Sequence, residues 1–235
     1  LMSHEMGHFL ACRRHRVQCT LPYFLPAPLL IGTFGAFIRI RSRIRSRSVL
    51  FDIGAAGPIA GFIVLLPCLI YGLARSHYSP ILEIDLEVGG NLLLVPGRSA
   101  LSAGLMWLFH GPMGSGMAVD LHPTALAAWV GLFVTALNLI PLGQLDGGHI
   151  LFAISPVWYR RSRPILLVSL ALAGFWWPGW WLWFLILLIV ARRHPPVLRP
   201  GEPLDRRRRT VALIALVIFL LVLVPVPLSL VAVLS

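Results

Sequence analysis

Lysine is absent from this chain, and acidic side chains are scarce: nine Asp and Glu stand against 20 arginines. Only 12% of the 235 residues are charged, 57% are hydrophobic, and the mean hydropathy is +0.82. Such proportions exclude an ordinary soluble domain and suit a polytopic membrane protein. The net charge of +11 is carried wholly by arginine. The arginines stand in short clusters between long apolar runs, as cytoplasmic loop anchors do, and this rejects nucleic-acid binding as the reason for the charge. Cys12, Cys19 and Cys68 have no paired spacing, so neither a disulfide framework nor a cysteine zinc site is expected. There is no internal repeat. The chain begins at Leu1 rather than at an initiator methionine. Only about a dozen apolar residues precede the first basic cluster, where a bilayer span needs roughly 20. The expectation is a fragment that begins inside a helix.

What the chain does have is His4-Glu5-Met6-Gly7-His8, an H-E-x-x-H pattern. On a helix, residues four apart share a face. Two imidazoles so placed can hold one metal ion while the intervening carboxylate faces the same water. The pattern is five residues long with three fixed, so two ordinary helix histidines are the rival reading. A carboxylate inside an apolar segment needs a reason, however, and metal chemistry supplies one for Glu5. Arg13-Arg14-His15-Arg16 closes the segment. If these arginines mark the cytoplasmic face, a rise of ~1.5 Å per residue puts the motif roughly 7–14 Å deep on that side.

Residues 17–47 do not read as a span, because Pro22, Pro26 and Pro28 break any helix. The glycine-punctuated run from Leu29 to Ile38 suggests short strands, a small β-hairpin whose free edge could pair with an extended substrate. The alternating strip Arg39 to Arg47 reads as a solvated loop facing anionic lipid. Residues 48–74 form a full span with Gly54, Gly57 and Gly61 on a close-packing face. Asp52, near its basic end, is either a third metal ligand or a helix-start residue matched by arginine. Residues 75–123 carry Glu83, Asp85, Glu87 and Asp120 with few arginines, and read as extracytoplasmic with an interfacial helix over 101–109. His110 and His122 then lie on the side away from the motif.

Residues 124–141 run back inward and bring Asp146 to the helix end, on the same side and at a similar depth as His4 and His8. Gly147 and Gly148 would permit an irregular backbone there. Arg160, Arg161 and Arg163 restore a basic loop. Residues 164–191 form either a hairpin turning at Pro178-Gly179 or one kinked helix. Residues 210–234 form a last span interrupted by Pro225 and Pro227. The fold class is therefore all-α, polytopic and membrane-embedded, with a small β-hairpin and about five or six membrane segments, the first of them truncated.

Taken together, the motifs resemble the site-2 protease family of intramembrane zinc metalloproteases. His4-Glu5-Met6-Gly7-His8 is followed by Gly57-Pro58-Ile59-Ala60-Gly61, Asn138-Leu139-Ile140-Pro141 and Leu145-Asp146-Gly147-Gly148. Pro22 to Pro26 and Gly32 to Ala36 are similar to the plant-chloroplast and bacterial branch. The resemblance covers 1–155, a metalloprotease core, and leaves 156–235 as C-terminal membrane segments without an evident PDZ domain. It implies one zinc ion held by His4, His8 and Asp146, with Glu5 as the catalytic carboxylate. It also implies hydrolysis of a peptide bond in or near the span of a membrane-protein substrate within the lipid bilayer. Asn138 is a candidate to hydrogen-bond substrate or oxyanion, or else an interhelical hydrogen bond. His149 could orient a ligand, or be a plain polar loop residue. Internal basic loops point to a bacterial inner membrane or an equivalent organelle membrane, with the site toward the cytoplasmic side. The rivals are a partner-binding relative without catalysis and a metal transporter. Transport would require more buried polar residues than Glu5, Asp52 and Asp146 along a path through the membrane.

Overall fold

The computed structural model describes residues 1–26, 33–80, 92–190, 197–199 and 203–232. The described residues are mostly helical, and they divide into two compact units. The first comprises Leu1–Val64 with Val134–Phe219, and the second Leu65–Phe133 with Leu220–Ser235.

In the first unit, helix α1 (Met2–Arg14) carries the H-E-x-x-H motif. It ends in a Schellman turn. Val17 N–H returns to the Cys12 carbonyl at 2.8 Å, Arg16 N–H returns to Arg13, and Arg16 sits in the left-handed region at φ 54°. The chain therefore doubles back, and Cys12, Val17 and Ile53 form a small buried cluster. The expected hairpin follows. Strand β1 (Tyr23–Pro26) pairs antiparallel with β2 (Thr33–Phe37), with an irregularity at Leu25/Pro26. The rest of that apolar run, 27–32, lies outside the described residues. Below the hairpin the pairing continues at Cys19 and Ile40, with Thr20 N–H donating to the Arg39 carbonyl and Arg41 N–H to that of Gln18.

Strand β3 (Ile44–Ser46) leads directly into α2 (Arg47–Arg75). Arg39, Arg41, Arg43 and Arg45 are exposed, as a solvated strip requires. Arg47 is different: its guanidinium donates to the carbonyls of Ala153 and Ile154 at 2.9 and 3.2 Å. It thus caps α5 (Asp146–Ile154), placing a cation at that helix's negative end. Helix α6 (Pro156–Ala173) packs along α7 (Gly179–Val190) as the expected hairpin. Its turn falls at Gly174 to Pro178, slightly before the expected point. Arg160, Arg161 and Arg163 lie inside α6 rather than in a loop. Ser155 caps that helix, Pro156 starts it, and arginine is a good helix former. Strand β7 (Val197–Arg199) pairs parallel with β3, and α8 (Arg206–Val222) starts on an Asp205 cap. Arg192 and Arg193 lie outside the described residues.

In the second unit, the latter part of α2 packs against the first part of α4 (Pro123–Leu139) through glycine. A Cβ on Gly72 would stand 2.6 Å from the Ala125 Cα, and one on Gly131 would stand 2.7 Å from Leu65 Cδ1. Helix α3 (Ala100–His110), in the expected position, is closed by a Ser99/Ser102 capping box. Strand β4 (His77–Pro80) pairs with β6 (Met117–Asp120), and β5 (Leu92–Pro96) with β8 (Leu228–Ala232), both antiparallel. Glu83, Asp85 and Glu87 lie outside the described residues.

Two further expectations change. Strand pairing is not limited to one hairpin, since four two-stranded sheets form among the described residues. The last apolar segment is not one broken span: α8 stops at Val222, and after Pro225 and Pro227 the chain runs on as β8. Among the described helices, α2 is the one long and apolar enough to cross a membrane, its 29 residues rising about 43 Å. Helices α3, α4 and α7 are apolar but shorter.

Candidate metal centre

His4 and His8 lie one helical turn apart and both are buried, with ring centroids 4.8 Å apart and planes at 71°. They sit on the glycine face of α2. A Cβ on Gly57 would occupy the space of the His8 imidazole, and one on Gly61 would come 3.3 Å from the His4 Cβ. Gly7 answers from α1, where a side chain would run into the Ala56 carbonyl. The small-residue face expected for helix packing is therefore the floor on which both imidazoles rest. No larger residue at position 57 leaves room for the His8 ring.

Asp146 reaches the same place by another route. It does not lie at the end of α4, as expected, but is the first residue of α5, beyond a six-residue turn after Leu139. Gly143, at φ 56°, shapes that turn. Gly147 and Gly148 do not adopt irregular backbone; both are helical. Their role is close approach. A Cβ on Gly147 would collide with the Leu139 carbonyl, and one on Gly148 would be 2.6 Å from that of Gly143. The bare first turn of α5 can thus press against the preceding turn, and the helix N-terminus favours a carboxylate at Asp146.

The Asp146 Oδ2 lies 3.0 Å from His4 Nε2 and 3.3 Å from His8 Nε2. The ligand atoms of the three residues all lie within 4.8 Å of one another. His8 Nδ1 is 2.7 Å from the Ile53 carbonyl. A carbonyl only accepts, so Nδ1 carries a proton, and in neutral imidazole Nε2 then presents a lone pair toward the carboxylate. Two lone-pair atoms 3.3 Å apart need a cation between them: a second proton on the ring, or a metal ion. The donor set of two imidazole nitrogens and one carboxylate oxygen fits catalytic zinc. With bonds of about 2.0–2.1 Å, tetrahedral ligand atoms stand roughly 3.3 Å apart, and three protein ligands leave a fourth position open. The Ile53 carbonyl is the outer partner that fixes ring orientation and tautomer in such sites.

Glu5 is half-buried beside His4, outside the ligand trio. Strand β2 lies against α1. The Asn138 Nδ2 is 3.4 Å from His4 Nε2, so its amide edges into the same site. His149 packs its Cβ 3.0 Å from the position a Gly54 Cβ would take. Asp52 is elsewhere: Arg208 forks onto it with two contacts of 2.8 Å, and His15 Nε2 lies at 2.9 Å. His110 contacts the Leu73 carbonyl at 2.9 Å, and His122 accepts from the Thr124 N–H, both within the second unit. Sequence reasoning missed Ile53. The signal was present in one respect, since Ile53 stands one turn before Gly57 on the same face of α2.

The model of peptidase family M50 matches residues 1–173. A rice relative (Oryza sativa subsp. indica) called probable zinc metalloprotease EGY2, chloroplastic, is 36% identical over 173 residues, which is 73% of this chain and 30% of the relative. The Arabidopsis thaliana protein called probable zinc metalloprotease EGY1, chloroplastic, is 31% identical over 235 residues, covering 96% of this chain and 41% of the relative. The chain thus spans less than half the length of these relatives. Both are described as chloroplastic, so they do not support the expected bacterial inner membrane. No solved structure matches the chain.

Proposed function

The chain belongs to peptidase family M50, and on that premise we propose that it forms the core of an intramembrane zinc metalloprotease. The observation that carries this reading is the meeting of His4, His8 and Asp146, with the His8 lone pair turned toward the carboxylate by the Ile53 carbonyl. His4, His8 and Asp146 are the ligands. Zinc bound there supplies a Lewis acid that polarises a carbonyl and acidifies a water.

Glu5 takes the proton of the attacking water and delivers it to the leaving amine. Its place one residue after His4, outside the ligand trio, leaves its carboxylate free for that exchange. The Asn138 amide donates to the developing oxyanion. The substrate's backbone must leave its helix before it can be cut, because a membrane helix satisfies every backbone group internally. The β1–β2 hairpin, whose β2 strand packs against the motif helix, offers an edge to hold the unwound segment.

Membrane embedding is supported by α2 and by large apolar side chains that face outward on other helices, among them Ile165 and Val168 on α6, Leu182 and Ile189 on α7, and Leu213 and Leu220 on α8. The five-to-six-segment arrangement belongs to this proposal, with the site toward the arginine-rich face and lipid and a membrane-protein substrate as partners.

The test uses the full-length protein in detergent and a fluorogenic single-span peptide with a glycine-weakened helix as substrate. Glu5→Gln is expected to keep its zinc and to lose cleavage by at least about 10²-fold. Cleavage by Glu5→Gln at the parent rate would overturn the role given to Glu5.

A further inference from the structure

Cys12 lies in α1, and Cys19 follows seven positions later, beyond the turn that ends the helix. The Schellman turn at Arg16 reverses the chain and brings them together. Cys12 is fully buried in the last turn of α1, and Cys19 packs against the Cys12–Val17–Ile53 cluster. Both are free thiols. Cys19 is partly exposed, so a small reagent can reach it. Cys19 also pairs with Ile40 at the root of the β1–β2 hairpin, a root otherwise held by hydrogen bonds between residues 18–20 and 39–42.

We infer that Cys12 and Cys19 are a thiol pair that small-molecule disulfides oxidise to a reversible disulfide, clamping the root of the hairpin to the end of the motif helix. The Cys19 thiolate attacks the oxidant's disulfide, forming a mixed disulfide and releasing one reduced thiol. Cys12 then gives up its proton and attacks the Cys19 sulfur, releasing the second. Two electrons pass from the protein thiols to the reagent, and two protons leave. In the reduced state the root is held by hydrogen bonds and apolar packing; in the oxidised state it is also tied covalently to α1. This inference does not depend on the proteolytic reading.

The experiment treats the folded, detergent-solubilised full-length protein with oxidised glutathione, blocks remaining thiols with N-ethylmaleimide, and maps tryptic peptides without reduction. Trypsin cuts between the two cysteines, so the bond joins the peptide that ends at Arg13 to the peptide Val17–Arg39, or longer forms of each. The expected result is that linked pair, lost on adding dithiothreitol, absent in Cys19→Ser and unchanged in Cys68→Ser. Both thiols alkylated after oxidation, a glutathione adduct on Cys19 that never resolves, or a bond from Cys19 to Cys68 would each overturn it.

Discussion

Asp146 and Asp52 both face histidine within the first unit, yet their surroundings differ in one respect. Asp52 is shared by His15 and by the fork of Arg208, whose two nitrogens each lie 2.8 Å from a carboxylate oxygen. Guanidinium is always charged, so that carboxylate has a permanent cation partner. Among the described residues, the ion-pair partners of Asp146 are the two imidazoles His4 and His8, and His8 has already committed its one neutral-state proton to Ile53. A carboxylate matched by arginine is a structural tie, whereas a part-buried carboxylate facing two imidazoles, one with its lone pair turned inward, fits the proposed metal ion. Identity and proximity of residues do not separate the two clusters; the source of positive charge does.

The largest expected disturbance of this contrast comes from Gly57→Val. The new side chain would fill the space of the His8 imidazole and turn that ligand away from Asp146. Zinc affinity should fall about 10–100-fold or more, the range lost when the groups that orient a ligand are removed, as read by competition with a zinc chelator. The ion pair at Asp52 should be untouched. Unchanged affinity would mean that the α2 glycine face does not support the site.

A middling effect is expected from Asp52→Asn. It removes a charge from a half-exposed pair and should lower stability by about 1 kcal/mol or less, the usual worth of such pairs. Thermal denaturation in detergent measures this, and zinc content should stay at the parental level. A loss of zinc would blur the distinction between the two aspartates. The smallest effect is expected from Arg16→Gly, which relieves a left-handed backbone that costs non-glycine residues about 1–2 kcal/mol. Part of this gain is offset by glycine's greater freedom in the unfolded chain. A small rise in the melting temperature is the expected outcome, and a fall would show that the Arg16 side chain contributes more than its backbone costs.

The motif end of the site was legible because helical geometry fixes His4 and His8 from spacing alone. The glycines at 54, 57 and 61 were legible as a packing face, though Gly57 and Gly61 were not legible as the bed of the imidazoles, since spacing shows that a face is small but not what it meets. Asp146 was expected near the motif by matching depth in the membrane. Its place at the start of α5 was hidden, because the turn at 140–145 carries few strong breakers apart from Pro141 and Gly143. The Ile53 carbonyl was out of reach, since a backbone acceptor leaves no letter in the sequence. Long-range strand pairing was equally hidden: Leu228–Ala232 reads as an apolar continuation of α8, and its partner Leu92–Pro96 lies more than a hundred residues earlier.

The most direct measurement is zinc per chain, by atomic absorption, for the full-length protein beside Asp146→Ala and Asp52→Ala. The account predicts about one zinc in the parent and in Asp52→Ala, as a single three-ligand site requires, and a clear loss in Asp146→Ala. Zinc retained by Asp146→Ala, or lost from a well-folded Asp52→Ala, would contradict it.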